Sequence, residues 1–231
     1  MRNSKIIVAL DYSDETGALK LLDQIDPELC RIKIGKELFT RCGPELVRRI
    51  VNSGYDVFLD LKYHDIPNTV AAACRAAADL GVWMLNVHAL GGPAMLEAAR
   101  RALSEPDSPM LIAVTILTSS SDDDLKAVGI DRNAHEMVML LAALVKQQEL
   151  DGIVCSAREA SDIRSAFGRK LILVTPGIRL PVDDAGDQKR IVTPAEAITK
   201  GSDYLVIGRP ITQADDPVQK ILTVNSEISQ L

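Results

Sequence analysis

Aromatic side chains are scarce in this chain: one Trp, four Tyr and three Phe make up 3% of 231 residues. A surface that stacks the bases of a single nucleic-acid strand needs such rings in number, and here they are missing. Positive charge is not in excess either. With 26 Lys and Arg against 32 Asp and Glu, the formal net charge is −6. That balance argues against a general nucleic-acid surface or a polybasic membrane surface, though a local basic pocket remains open. The four cysteines, Cys30, Cys42, Cys74 and Cys155, are scattered with no Cys-x-x-Cys pair, and the three histidines do not cluster. Reduced thiols in a cytoplasmic protein, with no metal site, are the expectation. Long apolar runs are absent as well. The first run, Ile6 to Leu10, is too short for a signal-peptide core or a membrane span.

What is present is an apolar content of 47%, ample for a full core, divided into short runs that alternate with amphipathic segments. The patterning predicts strands over residues 5–10, 30–35, 56–62, 83–88, 111–115, 152–155, 171–175 and 204–207. It predicts helices over residues 16–24, 44–53, 68–80, 93–103, 133–148, 157–167, 193–200 and 217–228. Strands that alternate with helices call for a parallel sheet with right-handed crossovers. Eight such units in 231 residues match an α/β (β/α)8 TIM barrel. No Ser-, Pro- or Gly-rich linker divides the chain, so residues 1–231 read as a single domain. The structural rival, a doubly wound open sheet, usually has a glycine-rich turn after its first strand. Here that turn reads Asp11-Tyr12-Ser13-Asp14-Glu15.

Barrel enzymes place their active sites at the C-terminal ends of the strands, and polar residues gather there. Asp11 closes strand one on the face of Ile7 and Ala9, and Lys33 faces opposite to Ile32 and Ile34 near the end of strand two. Asp60 and Lys62 end strand three on the face of Phe58, with about 6–7 Å between neighbours on one face. His88 ends strand four and Thr115 strand five, with Thr118 just beyond, and Gly208-Arg209 follow strand eight. A carboxylate beside an ammonium keeps both charged, and a lysine so held can deliver a proton to carbon. The Asp-x-Lys spacing alone fits a structural ion pair as well as a catalytic pair. Core charges on three successive strands are harder to explain by packing, since each buried charge needs compensation.

After Lys62 the chain leaves the strand through His64-Asp65-Ile66-Pro67. Pro67 biases Ile66 away from helix, and Asn68 or Thr69 can cap the helix that follows. The segment 176–192 is too long for an ordinary connection. With Gly177, Arg179, Gly186, Gln188, Lys189 and Arg190, it is either a lid over an anionic ligand or a solvated loop. Gly208-Arg209 favours the lid, because loops after strands seven and eight of barrels often bind phosphate.

Over nearly its whole length the chain resembles the orotidine 5'-phosphate decarboxylase family of the bacterial type. The resemblance rests on Val8-Ala9-Leu10-Asp11, Lys33-Ile34-Gly35-Lys36 and the run Phe58-Leu59-Asp60-Leu61-Lys62-Tyr63-His64-Asp65-Ile66-Pro67-Asn68-Thr69. It rests also on Val114-Thr115-Ile116-Leu117-Thr118-Ser119, Thr175-Pro176-Gly177-Ile178-Arg179, Gly186-Asp187-Gln188 and Val206-Ile207-Gly208-Arg209-Pro210. It implies a homodimeric barrel that converts orotidine 5'-monophosphate to UMP and carbon dioxide without a cofactor, the last step of de novo UMP biosynthesis. By the same resemblance Lys62 is the proton donor to C6 and Asp60 sits by the departing carboxylate. Lys33 joins the charge network and the ribose hydroxyls, and Asp11 binds ribose. Asp65 and Thr69 reach into the neighbouring subunit's site, and Thr118 contacts the pyrimidine. Arg179, Gln188, Gly208 and Arg209 hold the phosphate.

Two other functions compete. Metal-dependent barrels of the same suprafamily, such as 3-keto-L-gulonate 6-phosphate decarboxylase and hexulose phosphate synthase, also carry Asp-x-Lys on strand three. They resemble this chain poorly at strand two, where they use a metal-holding glutamate. Lys33 stands there instead, and a protonated ammonium cannot ligate a cation. A non-catalytic barrel that senses a nucleotide or phosphate is the other alternative, but it would not need Lys33, Asp60, Lys62 and Asp65 together.

Overall fold

The computed structural model describes residues 4–180 and 192–229. Its parallel strands close into a barrel in chain order: β1 (Ile6–Leu10), β2 (Arg31–Gly35), β3 (Val57–Tyr63), β4 (Met84–His88), β5 (Met110–Val114), β6 (Gly152–Val154), β7 (Ile172–Thr175) and β8 (Tyr204–Ile207). Strand β8 pairs back onto β1 through Leu205, Val206 and Ile207. The helices are α1 (Glu15–Leu22), α2 (Lys36–Asn52), α3 (Pro67–Ala78), α4 (Gly92–Ala102), α5 (Asp122–Ala127), α6 (Ala134–Gln147), α7 (Ala160–Phe167), α8 (Pro194–Thr199), α9 (Arg209–Thr212) and α10 (Pro217–Ser229). The expected TIM barrel is the observed one. None of these helices is long and apolar enough to cross a membrane.

Period-two alternation sorts the strand residues into two cores. Ile7, Ala9, Phe58, Met84, Ile112, Val174 and Val206 fill the barrel, while Ile6, Val8, Leu10, Ile32, Ile34 and Leu59 pack under the helices. Arg31 shares the inward face of Lys33 at the opposite end of β2 and plugs the barrel floor. Its guanidinium lies 4.6 Å from the Trp83 ring centroid and 5.0 Å from that of Tyr204, and pairs with Asp56 at 3.3 Å. It also donates to the carbonyl of Ser4. Buried arginine needs such partners, and two aromatic faces supply much of what water would.

Several boundaries differ from the sequence expectation. The span α2 holds two helical stretches that meet at Gly43, which takes φ 70° and ψ −170°; the second opens at Pro44, as the patterning predicts, and the stretch from Lys36 is the unforeseen part. Proline suits the first turn of a helix, where its missing N–H has no partner to lose, and Gly43 supplies the positive φ of the break. Helix α3 starts at Pro67, with Ile66 in the capping position and no side-chain cap. Asn68 and Thr69 therefore lie inside the first turn, where Pro67 is pre-shaped for the first helical position. Thr115 falls just past β5, buried, its hydroxyl donating to the carbonyl of Val154 at 3.0 Å. Helices α5 and α9 are unforeseen; six and four residues are too few to show a helical period.

Candidate active site

The C-terminal ends of β1, β2 and β3 bring four of the sequence-predicted residues together. Asp60 and Lys33 are almost enclosed, with side chains 12% and 10% exposed. Lys33 Nζ lies 3.2 Å from Asp11 Oδ1 and 3.4 Å from Asp60 Oδ2. On the other side of the same carboxylate, Lys62 Nζ lies 2.6 Å from Asp60 Oδ1. The result is a row of alternating charge, Asp11–Lys33–Asp60–Lys62. Burial pushes the Asp60 carboxyl pKa upward, but the charges of Lys33 and Lys62 and hydrogen bonds from Lys62 and Asn86 outweigh it. The net effect holds Asp60 below the usual carboxylate range, so it is an anion at neutral pH.

Lys62 does not reach this row by simple alternation. Its backbone sits in the left-handed region at φ 54°, and the β3–β4 register shifts between Leu59 and Tyr63. A non-glycine residue there costs about 1–2 kcal/mol. Gly35, next along the Lys33 face of β2, leaves room for the ammonium: a Cβ on it would come within 3.1 Å of Lys33 Nζ and press on it.

Two cavities meet at this row. One, of about 480 Å³, is walled by Asp11, Lys33, Gly177, Arg179, Gly208 and Arg209, among others. The second, of about 260 Å³, is walled by Asp60 and Lys62 on one side and by Ile116, Leu117 and Thr118 on another. Both share Lys33, Pro176 and Val206. The joined space has a cationic, polar lobe and a more apolar lobe, with the charge row between them. Arg179 is buried, its guanidinium donating to the carbonyl of Ile178 at 2.8 Å, whereas Arg209 is exposed at the start of α9. Arg179 N–H donates to the Val192 carbonyl at 3.1 Å and Val192 N–H to that of Gly177 at 3.4 Å, so the two ends of the long 176–192 segment are pinned together. The predicted phosphate ligand Gln188 and residues 181–191 of the lid expected over 176–192 lie outside the described residues.

Asp65 and Thr69 are not part of the row within this chain. Both are exposed; the Asp65 carboxylate accepts from Ile66 N–H at 2.6 Å, and no ion pair among the described residues joins it to Lys62. His88, at the end of β4, lies at the rim with its ring 5.6 Å from that of His64. Burial, then the nearby His64, Lys36 and Lys62, push its pKa down to about 4, so it is neutral at pH 7. Among the described residues, no cluster of three or more His, Cys, Asp or Glu could hold a metal ion.

Sequence reasoning missed Asn86. It lies inside β4 with no exposed surface, donates from Nδ2 to Asp60 Oδ1 at 2.7 Å, and accepts from Lys62 N–H at 2.8 Å. The signal was available: in Met84-Leu85-Asn86-Val87-His88 the amide shares the inward parity of Met84.

Comparison with known proteins places the chain in a family. The family model described as "Orotidine 5'-phosphate decarboxylase / HUMPS family" matches residues 4–224. An orotidine 5'-phosphate decarboxylase of Shewanella sediminis is 57% identical over 231 residues, 99% of both chains. That of Saccharophagus degradans is 55% identical over 227 residues, 98% of this chain and 95% of the relative. The crystal structure of orotidine 5'-phosphate decarboxylase from Lactobacillus acidophilus superposes with a TM-score of 0.88 at 37% identity, covering 98% of this chain and 99% of the other. With a family match across almost the whole barrel and relatives above half identity, the chain belongs to the orotidine 5'-phosphate decarboxylase / HUMPS family.

Proposed function

We propose that the chain decarboxylates orotidine 5'-monophosphate to UMP and carbon dioxide, as the last step of UMP synthesis, in a cytoplasmic homodimer and without a cofactor. The observation that carries this reading is the Asp11–Lys33–Asp60–Lys62 row at the junction of a cationic lobe and a more apolar one. A nucleotide divides in the same way. Its phosphate suits Arg179, Arg209 and Gly208, with Gln188 added. Its ribose hydroxyls suit Asp11 and Lys33, and its flat ring suits the lobe walled by Ile116, Leu117 and Thr118.

Loss of carbon dioxide from C6 leaves an electron pair on a ring carbon with no adjacent carbonyl to accept it. An ammonium already fixed beside that carbon stabilises the charge as it forms and then donates the proton that quenches it. Lys62 is the donor, and Asp60 both orients it and lies where the substrate carboxylate departs. Lys33 compensates the second oxygen of Asp60, which keeps the carboxylate ionised. Phosphate contacts far from C6 supply binding energy that positions the ring. Asp65 and Thr69 complete the site of the neighbouring subunit.

A divalent cation has no place in this scheme, because the ammonium of Lys33 occupies the space between the carboxylates of Asp11 and Asp60. The test is the fall in orotidylate absorbance on adding the protein, before and after dialysis against EDTA. Equal rates are expected. Rescue of a dialysed sample by magnesium would move the chain to the metal-dependent branch of the suprafamily. Tight binding without turnover would make it a sensor.

A further inference from the structure

Asn86 is a neutral side chain that touches both members of the Asp60–Lys62 pair. Its Nδ2 donates at 2.7 Å to Asp60 Oδ1, the same oxygen that Lys62 Nζ holds at 2.6 Å. Its Oδ1 accepts from the main-chain N–H of Lys62 at 2.8 Å. The orientation of the amide is fixed by its partners, since a carboxylate requires a donor and an N–H requires an acceptor.

The main-chain contact falls where β3 is irregular. Leu59 pairs with Leu85 and Tyr63 with Val87, so four residues of β3 advance against two of β4. Within that slip Lys62 takes φ 54°. The Asn86 side chain accepts the Lys62 N–H there, where regular pairing of the two strands is interrupted. Bulges next to active sites re-aim side chains, and left-handed backbone at a non-glycine residue persists only where its surroundings over-determine it.

We infer that Asn86 is a positioning residue for decarboxylation: it holds the Lys62 backbone in its left-handed turn and fixes the Asp60 carboxylate, so that ammonium and carboxylate meet the reacting carbon in one geometry. This rests on Lys62 being the proton donor. Leucine at the same place would leave the Lys62 N–H without its acceptor. Aspartate would set one carboxylate against another. The charged groups facing this point are Asp60 and Lys62 on β3, with Lys33 behind them on β2. On β5 the paired residues Ile112 and Val114 are apolar, and on β4 itself His88 follows two residues on.

The experiment compares wild type, Asn86→Ala and Asn86→Asp for kcat and KM with orotidine 5'-monophosphate, UMP affinity and melting temperature. For Asn86→Ala, kcat falls on the order of 10²-fold, the loss that about 1 Å of misplacement can cause. UMP affinity stays within a few-fold, because the phosphate lobe is untouched. Asn86→Asp is nearly isosteric and gives the sharper reading. When protonated, its carboxyl can donate to Asp60 and accept from Lys62 N–H as the amide does; when ionised it repels Asp60. The ratio of its kcat to that of wild type therefore rises as pH is lowered. A folded Asn86→Ala protein with kcat within two-fold of wild type overturns the inference, and so does a pH-independent ratio for Asn86→Asp. Should Asn86→Ala fail to fold, the aspartate variant decides alone. An inactive wild type would overturn the decarboxylase reading itself, a different failure from either.

Discussion

Asp60 is the residue on which the site turns, because two ammonium groups and an amide converge on its two oxygens. Charge compensation of this kind keeps a nearly enclosed carboxylate ionised, and an ionised Asp60 in turn keeps Lys62 aimed. On the proposed reading, Lys62→Ala removes the proton donor and the charge that would stabilise the carbanion. Losing a general acid costs on the order of 10²–10⁴-fold in rate, and the electrostatic loss adds to it. Turnover should fall by at least that factor while UMP binding, measured by calorimetry, survives; substantial decarboxylation by the variant would remove Lys62 from its role. His88 makes a separate prediction, about stability. Its folded pKa of about 4 lies below its ordinary 6.5, so between those values the unfolded chain binds a proton that the folded chain does not. Stability contributed by neutral His88 is therefore full above pH 6.5 and is lost as pH falls toward 4. Replacing it by glutamine should flatten the fall of melting temperature across that window, and an unchanged slope would assign the acid sensitivity to other groups.

The strands divide labour between their two ends. At the floor, Arg31 stacks on Trp83 and Tyr204 and pairs with Asp56, remote from the chemistry at the opposite rim. Arg31→Met should lower stability by about 2 kcal/mol or more, the range of a desolvated cation–π contact, read as a lower denaturation midpoint with kcat unchanged. A fall in kcat would mean that floor and rim are coupled. At the rim, α9 has only four residues, too short to contribute much of a helix dipole, so on the proposed reading the charge offered to a phosphate after β8 is that of Arg209. Arg209→Ala should weaken the phosphorylated substrate by about 1.5–3 kcal/mol, the worth of a charged hydrogen bond, and spare the phosphate-free nucleoside. Equal losses for both would make Arg209 structural. Alternation alone placed Asp11, Lys33 and Asp60 inward, because β1, β2 and the first half of β3 are regular. It failed to describe Lys62, whose left-handed backbone donates its N–H to a side chain 24 positions away on β4. Gly43-Pro44 reads as a helix boundary and is one, a break at which the positive φ of Gly43 separates the two helical stretches of α2. Asn86 was hidden by its apolar neighbours, which made β4 look like plain core.

At the scale of the whole molecule, one barrel presents an incomplete set of the groups that the decarboxylase reading requires. Asp65 stands exposed beyond β3 with no ion pair to Lys62 among the described residues, and Thr69 is exposed in the first turn of α3. Large apolar side chains are exposed nearby in chain order, each just past the end of one of three successive strands: Ile66 after β3, Leu90 after β4 and Leu117 after β5, at 67%, 44% and 43%. Such a stretch of rim suits contact with a second copy, and in the proposed two-fold dimer each subunit would give its Asp65 and receive the other's. A mixing experiment separates this from action within one chain. Lys62→Ala and Asp65→Ala homodimers should each be nearly inactive. A mixed dimer has one doubly damaged site and one intact site, built from Lys62 of one chain and Asp65 of the other. After equal amounts reassort at random, half the dimers are mixed and each holds one good site, so about a quarter of wild-type sites return. Subunit exchange is confirmed by native mass spectrometry of differently tagged chains. If exchanged mixtures show no more activity than the two parents, Asp65 acts within its own barrel, and the exposed carboxylate must swing toward its own Lys62 when substrate binds.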